Sequence, residues 1–86
     1  EKSLGVSYNI LADLLVKMKR YDEAKQYLDK ARTLANITGS LTQKRSNHQV
    51  FAAYYAAIGD HKSAFKEQSQ YILYNDSIYR DVAQVK

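Results

Sequence analysis

Along the first stretch of the chain the apolar positions are Leu4, Tyr8, Leu11, Ala12, Leu15 and Met18. Steps of three and four residues trace one face of an α-helix, predicted over Ser3–Lys19. Lys17, Lys19 and Arg20 fall near its end, where positive charge complements the helix dipole. A second apolar series, Ala24, Tyr27, Leu28, Ala31, Leu34 and Ala35, predicts a second helix starting near Asp22. Asp22 and Glu23 suit its first turn, and Lys30 and Arg32 suit its later part. Thr38-Gly39-Ser40 ends it. Gly39 can take the left-handed conformation that closes a helix. Ser40 can cap the next helix, with Gln43 completing a capping box.

The third helix is predicted over Leu41–Ile58. Its centre, "VFAAYYAAI", is apolar on nearly every side, so it must be covered on more than one face. Gly59 and Asp60 then supply a helix end and a new N-cap. A fourth helix, from His61 to about Tyr74, carries Ala64, Phe65, Tyr71 and Ile72. At Asn75 and Asp76 the pattern allows two outcomes: a break with a new terminal helix over about 76–86, or continuation of the fourth helix. The chain begins at Glu1 and ends at Lys86 without a termination signal, so it is expected to be part of a longer protein.

These helices repeat. Ala24 and Ala64 lie 40 residues apart, and the same offset places Leu11 on Phe51, Ala12 on Ala52, Leu15 on Tyr55 and Tyr21 on His61. The chain thus reads as two copies of one helix–turn–helix unit, over about 5–38 and 45–78. Ala12 and Ala24 are small enough to let antiparallel helices approach closely. Ala31 leaves room for the next unit, and Leu11, Leu15 and Leu28 fill the space between.

Tyr8, Leu11, Ala12, Leu15, Tyr21, Ala24, Leu28 and Ala31 resemble the tetratricopeptide repeat, with its alternation of large and small residues on two helices. The second unit resembles it through Phe51, Ala52, Tyr55, Gly59 and Ala64, and departs from it at His48, His61, Gln68 and Tyr71. The family's helix-ending proline is missing from both units, where Asn36 and Asp76 stand. The resemblance implies a single all-α domain of antiparallel helical hairpins, stacked as a right-handed superhelix of two repeats plus a terminal helix. Gly59, Asp60, Ala64, Tyr71, Asp76, Ser77 and Ile78 look like the repeats of Bacteroidetes-type two-component sensor kinases and related transcriptional regulators. That resemblance implies a sensory or regulatory parent protein.

Composition narrows the classes. At 86 residues there is one small domain, and 45% hydrophobic with 26% charged residues argues against disorder. The absence of proline and the presence of only three glycines favour helix. Without cysteine there is no disulfide and no thiolate metal site. No apolar run approaches the roughly 20 residues that span a bilayer. The net charge of +4 raises the alternative of a nucleic-acid-binding helical repeat. Against it, Lys25, Lys30 and Arg32 alternate with Asp22, Glu23 and Asp29 rather than forming one basic face.

No catalytic constellation is visible. His48 and His61 fall on different helices at no metal-ligand spacing, and each reads as a packed or half-exposed side chain. The carboxylates sit at caps and on polar faces. No glycine-rich phosphate loop is present. The expectation is therefore a non-enzymatic module without cofactor or metal, whose partner is a protein or peptide, or a second copy of the chain. Of the eight tyrosines, Tyr8, Tyr21, Tyr27, Tyr55 and Tyr71 fall at packing positions, while Tyr54, Tyr74 and Tyr79 are less committed.

By the family resemblance, a partner would lie along the first helix of each unit. The implied groove residues are Val6, Asn9, Asp13, Val16 and Lys17, then Ser46, Gln49, Ala53, Ala56 and Ala57. Asn9 and Gln49 carry amides able to hydrogen-bond a peptide backbone. Asp13 and the lack of a basic clamp exclude the carboxylate-capturing mode of some family members. Ala53, Ala56 and Ala57 are small enough to accept another helix.

Overall fold

A computed structural model describes the backbone of residues 2–84 and the side-chain surroundings of residues 5–77. The described chain is all-helical: α1 (Lys2–Lys17), α2 (Tyr21–Thr38), α3 (Leu41–Ala57) and α4 (His61–Gln84), with no strand among the described residues. At Asn75–Asp76 the chain takes the second of the two expected outcomes, because α4 runs on unbroken to Gln84. The last two residues of the anticipated terminal helix, and the side chains of Leu4, Ile78 and Tyr79, lie outside the described residues.

Two turns share one backbone design. At the end of α1, the Arg20 N–H donates to Leu15 O at 2.9 Å and the Lys19 N–H to Val16 O at 3.0 Å. At the end of α3, the Asp60 N–H donates to Tyr55 O at 2.9 Å and the Gly59 N–H to Ala56 O at 3.2 Å. Both are Schellman closures, in which the residue after the last helical turn takes a left-handed conformation. Gly59 does so at φ 86° without strain, whereas Lys19 does so at φ 64° against the crowding of its Cβ. The donors and acceptors of the two turns are 40 residues apart in every case, the same offset as in the side-chain pattern.

The remaining caps follow the sequence. Gly39 closes α2 at φ 70°, its N–H bonded to Ala35 O. Ser40 Oγ accepts the Gln43 N–H at 3.2 Å, and Asp60 Oδ1 accepts the Ser63 N–H at 3.2 Å. The expected return arm of the capping box is replaced: the Ser40 N–H donates to Thr38 Oγ1. Gln43 is buried instead, with its side-chain amide against Gly5, where a Cβ would lie 2.8 Å from Gln43 Oε1. Gly5 therefore allows α1 and α3 to approach.

The core is built from Ala12, Leu15, Val16, Ala24, Leu28, Val50, Phe51 and Tyr54. The small residues do what their size predicts, since Ala12, Ala24 and Ala31 have no exposed surface. α3 packs against all three other helices, as its apolar centre requires. Tyr54, left uncommitted by the sequence, belongs to the core. Its ring meets Phe51, Tyr21 and Tyr55 edge-on, and burial pushes its phenol pKa up. Leu11 departs from expectation: it is 37% exposed, because the next helix covers Ala12 and Leu15 but not the adjoining edge of α1. Phe65 departs further, at 75% exposed. No helix among the described residues is long and apolar enough to cross a membrane.

Candidate functional site

α1 and α3 lie side by side and enclose an open groove of about 380 Å³. Val6, Asn9 and Asp13 line it from α1, and Ser46, Gln49 and Ala53 from α3. The periodicity that sets one face of each helix toward the core sets the adjoining stripe toward this groove. The structure thus brings together four of the six principal site residues named from sequence: Asn9, Asp13, Gln49 and Ala53. Lys17 is close by but committed elsewhere, pairing with Asp13 at 3.3 Å along an exposed turn. Such a pair contributes little to stability, yet it neutralises the carboxylate that would otherwise dominate that end of the groove. Ala56 lies outside that lining, in an adjoining shallow depression that shares Gln49 and Ala53 with the groove and adds Ala64, Phe65 and Gln68 from α4. Val16, also expected in the groove, is buried in the core.

The chemistry of the groove centres on Asn9, which is only 4% exposed. Its Oδ1 accepts a hydrogen bond from Asn47 Nδ2 at 3.2 Å. The same Asn47 nitrogen donates to Leu28 O at 3.1 Å, and Asn47 Oδ1 accepts from Arg32 Nε at 2.9 Å. Arg32 has only donors, so it fixes which end of the Asn47 amide is oxygen. Asn47, in turn, fixes the Asn9 amide. The consequence is that Asn9 Nδ2 is buried without any hydrogen-bond partner. A buried donor left unmet costs about 1–3 kcal/mol. It is the one side-chain nitrogen or oxygen so placed among the described residues.

The network continues through Arg32. Its Nη2 donates to Glu67 Oε1 at 2.8 Å, and its guanidinium lies over the Phe51 ring, 4.2 Å from the centroid. His48 Nδ1 donates to the same carboxylate oxygen at 2.7 Å. The short approach of Arg32 Nη2 to His48 Nδ1 follows from sharing that acceptor. α2 and α4 do not pack directly against each other among the described residues, so it is the length of the arginine that joins them. A chain of polar contacts, Glu67–Arg32–Asn47–Asn9, therefore crosses the molecule from α4 to α1.

Sequence reasoning missed Arg32 and Asn47. Arg32 read only as a cation suited to the later part of the second helix, and Asn47 was not singled out. Asn47 is 1% exposed, and only the convergence of α1, α2 and α3 buries it. His48 is bonded and stacked on Tyr74, with ring centroids 5.4 Å apart, whereas His61 is exposed. Among the described residues no group of three or more His, Asp or Glu side chains is placed to hold a metal ion.

No protein-family model matches the chain, and no curated protein or solved structure is significantly similar to it.

Proposed function

We propose that this chain is a non-enzymatic protein- or peptide-binding module, made of two tetratricopeptide-like hairpins stacked as a right-handed superhelix, within a sensory or regulatory protein. The observation that carries the proposal is Asn9, which lines the groove between α1 and α3 and whose Nδ2 is a buried donor without a partner. An extended peptide presents a carbonyl oxygen at every residue, and one of these would meet that donor once the Asn9 amide turns toward the groove. Gln49, on the facing helix, offers a second amide that can both donate and accept. Val6, Ile10 and Ala53 supply apolar contact beside them. The matched turns and the 40-residue offset support the two-hairpin reading.

The experiment is selection of peptides from a random displayed library against the chain, followed by NMR titration. Selected peptides are expected to shift the Asn9 and Gln49 side-chain amides. Asn9→Ala and Gln49→Ala should each weaken binding about tenfold, roughly the 1.4 kcal/mol of one hydrogen bond. Peptides whose affinity neither substitution alters would overturn the reading.

A second reading, an assembly element, is favoured by a different observation. Phe65 is 75% exposed beside Ala53, Ala56 and Ala64, a shallow apolar surface open on the α3–α4 side. A mass that rises with concentration in light scattering, and is restored to monomer by Phe65→Ser, would favour it. Nucleic acid fits less well, because Lys17, Arg20 and Lys25 are paired with Asp13, Glu23 and Asp29.

A further inference from the structure

On the far side of Asn47 from the groove lies a second cavity, of about 490 Å³, walled by α2, α3 and α4. We infer that this cavity is a binding site for a small oxyanion, a phosphate- or carboxylate-bearing molecule. The inference is independent of the peptide groove.

Three cations line the cavity, Arg32, Lys44 and Lys66, against one carboxylate, Glu67. That carboxylate is already engaged by Arg32 Nη2 and His48 Nδ1. Lys44 and Lys66 have no ion-pair partner among the described residues, in contrast to Lys17 and Lys25, which do. Arg32 is held in place by Asn47, Glu67 and the Phe51 ring, and its Nη1 has no partner among the described residues. A guanidinium fixed on two sides and open on the third is a pre-organised anion receptor, because the cost of ordering it has been met by folding. Lysines supply the complementary point charges. The stacked His48 and Tyr74 rings line one wall of the cavity. The volume suits a small molecule rather than a folded partner.

The test is a titration of the chain with inorganic phosphate and, separately, with citrate, followed by amide NMR at constant ionic strength so that general screening is held fixed. Expected are saturable shifts at Lys44, His48, Glu67 and the Asn47 side-chain amide, with midpoints below about 10 mM. Saturation by phosphate alone or citrate alone identifies which oxyanion is taken. The double variant Lys44→Gln/Lys66→Gln should weaken the midpoint at least about tenfold, with an unchanged circular dichroism spectrum. Glu67→Gln should tighten it, because a negative charge beside the anion is removed while the amide oxygen put in its place still accepts from Arg32 Nη2. A merely structural role for these residues would not produce that opposite sign. No saturation with either anion, or equal midpoints in the double-lysine variant and the parent, overturns the inference.

Discussion

Asn47 Nδ2 lies 3.2 Å from Asn9 Oδ1, and through this contact a residue of α3 determines which way an amide of α1 faces. The orientation runs back through Asn47 Oδ1 to the Arg32 guanidinium, which has no acceptor to offer. One asparagine therefore holds three helices together and leaves Asn9 with an unmet donor.

Asn47→Ala removes a donor to Asn9 and Leu28 O and the acceptor for Arg32 Nε. Each buried group left behind costs about 1–3 kcal/mol, so a loss of about 3 kcal/mol in total is expected. For a domain of this size that is a fall in Tm of more than about 10 °C. Thermal unfolding followed by circular dichroism measures it. A fall of under a few degrees would mean that water replaces the network without loss.

Lys19 and Gly59 occupy equivalent places in the two matched turns, both at positive φ. Lys19→Gly relieves the left-handed strain and is expected to stabilise the chain by about 1 kcal/mol. Gly59→Ala imposes the same strain and is expected to destabilise it by about 1 kcal/mol. Nothing lies within 4 Å of a Cβ built at Gly59, so the effect is conformational, not steric. Urea midpoints for the two variants should move in opposite directions.

Leu28 has no exposed surface and Phe65 is 75% exposed. Leu28→Ala is expected to cost about 2–5 kcal/mol through lost contact and the cavity left behind. Phe65→Ser should change the stability of the monomer by no more than about 0.5 kcal/mol. Equal losses in denaturant titration would show that Phe65 is covered in solution by a second copy.

The Ser63 hydroxyl and, after it, the Ser63 N–H hydrogen-bond the Asp60 carboxylate, and these bonds, with lesser help from His61 and Lys62, hold its pKa below the ordinary carboxylate value. A carboxylate with a depressed folded pKa stabilises the fold above its unfolded pKa, and that stability is lost as pH falls through the folded value. Asp60→Asn retains a capping side chain but does not titrate. Its stability should therefore fall less steeply than the parent's below about pH 4. Parallel acid-unfolding slopes would show that Asp60 carries none of the acid sensitivity.

Much of the fold was legible because it is local. Helix periodicity, the Gly39 and Gly59 closures, and the Ser40 and Asp60 caps depend on residues a few positions apart. So does the placing of small residues at Ala12, Ala24 and Ala31, since size at a helix face dictates how near a neighbour can come. The groove was legible only in part, through the family resemblance: Asn9, Asp13, Gln49 and Ala53 line it, whereas Val16 is buried in the core and Lys17 and Ala56 lie outside its lining. Tertiary structure alone decided the rest. Whether α4 stopped at Asn75 depended on no strong local signal, and the helix continues. Leu11 and Phe65 carry apolar patterns but lack neighbours to cover them. The burial of Asn47, the reach of Arg32 to Glu67 and the unmet donor on Asn9 arise only where residues from different helices converge. Hydrogen-bond satisfaction is a property of the assembled interior, and a sequence specifies donors and acceptors without saying which of them will meet.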